Sequence, residues 1–318
     1  MVVEKPPETT QVEATRHNRV VYGWTMFFIA VVSVIAGGLI FAIALGGVCY
    51  LAGNEFIGMV QAKGTRPSVR IVRGMIVAFF AVAALPVVPG LNLSLPWNYA
   101  LTLFPLLLTV GICISFFRLL FRNEEPHTSI ADIATTILGF IYVGFLPCHL
   151  VLLRNLCPPG VEQVLNPAQQ PGLAYVWAAI FSILATDTFA YYAGRHWGKT
   201  LLYPQISPKK TVEGAIGGFV AASLWASLVV FLSDNLLFPN HPFGGKLWQA
   251  PLMGAVVSVA AQLGDLCESL LKRDAGMKDS GTLFTIPGHG GMLDRGDSWI
   301  FASAVSYYWV CIVVLGIL

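Results

Sequence analysis

Charge is scarce in this chain. Asp, Glu, Lys and Arg make up 11% of its 318 residues, 56% are hydrophobic and the mean hydropathy is +0.70. That balance excludes an ordinary soluble domain and calls for membrane-spanning helices. The net charge of +2 is nearly neutral, so bulk charge gives no reason to expect a nucleic-acid partner. The cysteines Cys49, Cys113, Cys148, Cys157, Cys267 and Cys311 are scattered without a CxxC pair. Most lie in apolar runs and read as small core residues rather than a disulfide or zinc framework. There is no internal repeat and no low-complexity tract. Residues 1–20, MVVEKPPETTQVEATRHNRV, mix acid with base and lack a cleavage-site pattern. They read as a disordered polar tail rather than a signal or transit peptide.

What is abundant is apolar length. A helix needs about 20 residues to cross the hydrocarbon core. Runs of that order occur at 71–90, 98–120, 129–153, 172–194, 214–234, 248–271 and 299–318. The run 22–53 is too long for one span and breaks at Gly37-Gly38, which predicts two helices there and nine spans in all. With nine spans, every Lys and Arg except Arg154 and Lys246 falls on one face. The positive-inside rule makes that face cytoplasmic, with the N-terminus inside and the C-terminus outside. The stretch 54–64, NEFIGMVQAKG, reads as a short interfacial helix. The expectation is therefore an all-α polytopic membrane protein with its active site in a polar cavity at the cytoplasmic side. Residues 21–170 form the N-terminal helices and 171–318 the catalytic region.

Against this background the segment Gly264 to Ser298, GDLCESLLKRDAGMKDSGTLFTIPGHGGMLDRGDS, is anomalous. Asp265, Glu268, Ser269 and Lys272 are spaced i, i+3, i+4 and i+7, on one face of a helix near its cytoplasmic end. Carboxylates in a span are costly and face a polar cavity or a partner. Glu268 can pair with Lys272 at i+4. Asp265 has no base at i+4 and is the better metal candidate. In PGHGGMLDRGD, Pro287 to Asp297, the glycines make a turn whose amides can approach a phosphate, and Asp294 and Asp297 flank Arg295. His289 is equally readable as a polar turn residue. Carboxylates from separate segments suit Mg²⁺ with substrate phosphates.

A third element lies at 185–218. Asp187, inside an apolar run, should face a polar interior, with Tyr191 at i+4 in reach of a hydrogen bond. The following loop offers Arg195, Lys199, Lys209 and Lys210, and SPKKT leads through Glu213 into a helix starting at Gly214. Gly214 and Gly218 form a GxxxG, read as close helix packing. Metal-binding acids and phosphate-binding bases on one membrane face suit phosphoryl or nucleotidyl transfer involving a lipid.

These motifs resemble the phosphatidate cytidylyltransferase (CDP-diacylglycerol synthase) family. Ser269, Lys272, Arg273, Lys278, Asp279 and Gly281 fill the first half of its signature. Pro287, Gly288, His289, Gly290, Gly291, Asp294, Arg295 and Asp297 fill the second half. Its middle motif is matched by Asp187, Ala190, Tyr191 and Ser207 to Gly214. The resemblance is strongest over 172–318; the N-terminal half matches in hydropathy alone. The chain departs from the pattern in a longer spacer between Gly281 and Pro287, and in Gly296, where an apolar residue is usual.

The resemblance implies that CTP and phosphatidate give CDP-diacylglycerol and pyrophosphate with Mg²⁺, in a multi-pass, bacterial-type inner membrane protein that a homodimer would also suit. It assigns metal ligation to Asp265 and Asp294, with Asp187 and Asp297 next. Lys272, Arg273 and Arg295 join Lys209, Lys210, Lys278, Ser207, His289, Gly290 and Gly291 around the phosphates, while Glu213, Glu268 and Tyr191 support them. Two other classes fit parts of the pattern. One is a CTP-dependent polyprenol or phytol kinase, which would lack the full signature. The other is a solute transporter, which should carry polar groups to both faces.

Overall fold

The computed structural model describes residues 23–88, 99–121, 129–156, 170–237, 242–244, 246, 248–277, 280 and 291–316. Among them, eight helices are long and apolar enough to cross a membrane, and Gly23–Ala36 is a shorter apolar helix. In chain order these are α1 (Gly23–Ala36), α2 (Gly38–Ala62), α3 (Val69–Val87), α4 (Tyr99–Arg118), α5 (Ile130–Arg154), α6 (Pro171–Trp197), α7 (Val212–Leu236), α8 (Gln249–Asp274) and α9 (Leu293–Val314). The chain is an all-α polytopic membrane protein with one exception to that expectation. Leu201–Tyr203 (β1) and Ser207–Thr211 (β2) pair antiparallel in a small hairpin between α6 and α7.

The expected break in 22–53 is present. Gly37 and Gly38 both have positive φ, 62° and 53°, a conformation that costs an L residue but not glycine. A Cβ on Gly37 would run into the Arg154 guanidinium. Arg154 is not in an aqueous loop: it is fully buried at the end of α5. Its Nε donates to Val34 O at 2.7 Å, Nη2 to Ile35 O at 2.9 Å and Nη1 to Gln170 Oε1 at 2.9 Å. It thereby satisfies carbonyls of the last turn of α1, which have no continuing helix to donate to them.

The interfacial helix expected at 54–64 is not a separate element. Residues 54–62 continue α2, and Asn54 and Glu55 are buried. Lipid exposure is marked in α1 and α4, where Phe28, Ile29, Leu106 and Phe117 face outward, as the bilayer requires. The buried core draws mainly on α2, α3, α5, α6, α8 and α9, with Phe56, Phe79, Phe140 and Tyr175 among its largest members. Residues 1–22, including the tail, lie outside the described residues, as do Lys278, Asp279, 281–290 and Leu318.

Candidate active site

Three close helix contacts bring the acidic residues together. A Cβ on Gly214 would sit 2.7 Å from Ala190 O, and one on Gly218 2.7 Å from Thr186 O. The GxxxG is thus a packing motif, as expected, and it lays α7 directly against the stretch of α6 that carries Asp187. Likewise a Cβ on Gly264 would meet Asp297 O at 2.5 Å. That missing side chain lets α9 approach α8 beside Asp265.

The result is a cavity of about 560 Å³ whose lining includes Asp187, Asp265, Asp294 and Asp297 together with Ser207, Lys209 and Lys210. Tyr191, Arg195, Gly214 and Ser298 also border it. The sequence-predicted acids from α6, α8 and α9 therefore meet the SPKKT lysines in one place. The hairpin delivers those lysines. Thr211 ends β2 and caps α7, accepting from Gly214 N at 3.1 Å. This starts the helix at Val212, two residues before the expected Gly214.

Within the cavity the acids have different partners. Asp265 lacks a base on its own helix but pairs with Lys210 Nζ at 2.5 Å. Asp187 accepts from Ser298 Oγ at 3.2 Å, and Asp297 from the same hydroxyl at 3.4 Å and from Ser298 N at 2.6 Å. The expected Tyr191–Asp187 bond is replaced: Tyr191 Oη accepts instead from Arg195 Nη1 at 3.2 Å. Tyr191 stands at i+4 from Asp187, but its ring is exposed and follows the next turn of α6.

Asp294 is held more tightly. Its Oδ1 accepts from Lys272 Nζ at 2.6 Å, and its Oδ2 from Ser280 N at 3.0 Å and Gly291 N at 3.3 Å. Lys272 also pairs with the fully buried Glu268 at 2.6 Å, the expected i+4 contact. Glu213 supports the site through the backbone. It accepts from the backbone amides of Lys199 and Thr200, at 3.1 and 3.2 Å, and so fixes the entry to the hairpin. Arg273 donates to Ile206 O at 3.4 Å and Met277 O at 3.3 Å, packing beneath the hairpin turn rather than lining the cavity. Arg295 is exposed on the first turn of α9. Lys278, His289 and Gly290 lie outside the described residues.

One residue next to this network was missed by reading the sequence. Glu55 of α2 is fully buried. Its Oε1 accepts from Met292 N at 2.8 Å, and its Oε2 from Leu293 N at 2.8 Å and Ser280 Oγ at 3.0 Å. The signal was available: a carboxylate following a long apolar run is expensive to bury without partners.

The model of the cytidylyltransferase family matches residues 17–313. The phosphatidate cytidylyltransferase of Synechocystis sp. is 37% identical over 294 residues, which cover 88% of this chain and 91% of that protein. The chloroplastic phosphatidate cytidylyltransferase 5 of Arabidopsis thaliana is 33% identical over 298 residues, covering 87% of this chain and 67% of that protein. The phosphatidate cytidylyltransferase of Bacillus subtilis is 39% identical over 171 residues, 54% of this chain and 55% of its own. The first two similarities extend well into the N-terminal half, which in sequence had matched in hydropathy alone.

Proposed function

The chain belongs to the cytidylyltransferase family, and from that premise we propose that it transfers the cytidylyl group of CTP to phosphatidate, releasing pyrophosphate and CDP-diacylglycerol for phospholipid synthesis. The observation that carries this is the convergence of Asp187, Asp265 and Asp297 with Lys209 and Lys210 on one cavity within membrane-spanning helices. A phosphatidate phosphate oxygen attacks the α-phosphorus of CTP. The new bond is oxygen to α-phosphorus, and the bond from α-phosphorus to the bridging oxygen of the β-phosphate breaks. Since phosphatidate is already anionic at neutral pH, the site must position and neutralise charge rather than remove a proton. Lys209 and Lys210 line the cavity that takes the phosphates in this reading, with Ser207 beside them and Arg273 beneath the hairpin turn.

Among the described residues no three carboxylate, imidazole or thiol side chains are grouped to hold a metal ion as they stand, so the case for Mg²⁺ rests on the chemistry of the oxygen donors that line the cavity. Lys210 offsets Asp265, whereas Asp187 and Asp297 share a hydroxyl that carries no charge. Hard carboxylate oxygens from three helices suit Mg²⁺, which when bound neutralises triphosphate charge. Asp187, Asp265 and Asp297 would hold it. Asp294, which the resemblance puts first together with Asp265, would have to give up bonds to Lys272, Ser280 or Gly291 to join them. The wider reading is of nine crossings, α1 included, in a bacterial-type inner membrane, with the N-terminus and the cavity cytoplasmic, the C-terminus outside, and a homodimer as the assembly.

Purified protein in detergent with phosphatidate, CTP and Mg²⁺ should form CDP-lipid and pyrophosphate, with CTP used far better than ATP. Phosphorylation of an isoprenoid alcohol without CDP-lipid would instead make it a lipid kinase. For the topology, a reporter active solely in the cytoplasm should work at the N-terminus and fail at the C-terminus.

A further inference from the structure

We propose that Glu55 is a positioning residue for the cytidylyl-transfer site, a carboxylate on α2 that ties Ser280 to the start of α9, the helix that carries Asp294 and Asp297 of the signature. This rests on the functional reading above. The motifs that led to the site all lie beyond residue 185, and nothing in them points to the N-terminal half. Yet Glu55 contacts residues 225 to 238 positions downstream.

The geometry is specific to a carboxylate. Both oxygens act as acceptors: Oε1 for Met292 N, Oε2 for Leu293 N and Ser280 Oγ. Met292 is the N-cap of α9 and Leu293 its first residue, and free amides there need acceptors; a negative charge is favoured at that positive helix end. Asp294, in the first turn of α9, also accepts from Ser280 N and from Gly291 N. Asp294 also borders the cavity and holds Lys272. The start of α9 is thus held by Glu55 and, through its own Asp294, by Lys272 and Ser280, and Asp297, one turn further on, takes its place in the cavity from that start. Displacing the start of α9 displaces Asp297.

Glu55→Gln is nearly the same size but changes the chemistry. The amide keeps one acceptor oxygen and turns an NH₂ toward a donor, either Met292 N or the pair at Leu293 and Ser280. Three measurements on the full chain in detergent micelles test the proposal. In Glu55→Gln, hydrogen exchange at 291–293 should speed by on the order of 10-fold or more, with the interiors of α6 and α7 unchanged. The kcat per folded molecule should fall on the order of 10- to 100-fold at saturating CTP and phosphatidate, because a misplacement near 1 Å can cost that much. Glu55→Asp, which keeps the charge but shortens the reach, should fall between. A part in stability alone would lower the folded yield and leave kcat per folded molecule unchanged, and that result would overturn the proposal. So would unchanged exchange at 291–293. If Glu55→Gln does not fold, Ser280→Ala removes one of the three contacts. It should slow kcat several-fold, and unchanged kcat there would equally overturn the proposal. Wild-type protein that makes no CDP-lipid would defeat the functional reading, while the exchange measurement would still decide whether Glu55 holds the start of α9.

Discussion

Asp265 and Asp294 look interchangeable in the sequence, each an aspartate of the signature region, but the structure uses them differently. Asp265 faces the cavity with one ionic partner, Lys210. Asp294 borders the same cavity with both oxygens committed to three donors. One acid is available to a substrate or a cation, and the other holds the scaffold that presents it. The contrast extends to the lysines. Lys209 and Lys210 arrive on a hairpin at the rim, while Lys272 is mostly buried between Glu268 and Asp294. A signature motif therefore mixes groups that meet the ligand with groups that hold those groups in place.

The largest effect should come from Asp265→Asn. In its proposed role as a metal ligand, Asp265 is worth several kcal/mol of transition-state stabilisation, so the rate should fall on the order of 10²-fold or more. The folded yield should hold and the Mg²⁺ requirement should weaken, as read by Mg²⁺ titration of pyrophosphate release. Asp294→Asn should lower both rate and thermal stability. If instead Asp294→Asn shifts the Mg²⁺ titration and Asp265→Asn does not, the two roles are reversed. Next is Lys272→Met, which strands Glu268 in the interior. Removing one partner of a buried pair costs about 3 kcal/mol, seen as a drop in Tm, and Lys272→Met with Glu268→Leu should recover much of the Tm without recovering activity. Gly264→Ala should be milder, at about 1–2 kcal/mol for a single overpacked methyl. Its larger mark should be on activity, several-fold down, because the Cβ pushes against Asp297 O. The smallest effect is Tyr191→Phe. Its hydroxyl meets the exposed Arg195 rather than Asp187, so the rate should stay within about twofold; a larger loss would return Tyr191 to the acidic cluster.

Much of this was legible because burying a charge is costly. Asp187, Asp265 and Glu268 stand out in apolar runs, and each lies where that cost predicts, at a cavity or an ion pair. The Gly37-Gly38 break and the Gly214–Gly218 packing were equally visible, since each depends on the lack of a Cβ. What stayed hidden depends on distance along the chain. The Lys210–Asp265 pair joins two motifs that no helical periodicity relates. The hairpin is too short to show alternation, and its Pro208 argues against a strand. Glu55 sits in a polar-looking stretch at the end of α2, and its partners lie on the far side of the sequence.

Arg154 gives the molecule an order of assembly. Its guanidinium bonds residues 34, 35 and 170, all outside its own helix. As the chain emerges and enters the bilayer, the joint between α1 and α2 is made early. Its carbonyls there must wait for a donor about 120 positions later, and that donor in turn waits for Gln170. The first corner of the protein is thus set only after five helices and the start of a sixth have been made. A damaged Arg154 should show itself during biogenesis, as early helices cleared by quality control, well before any assay of catalysis.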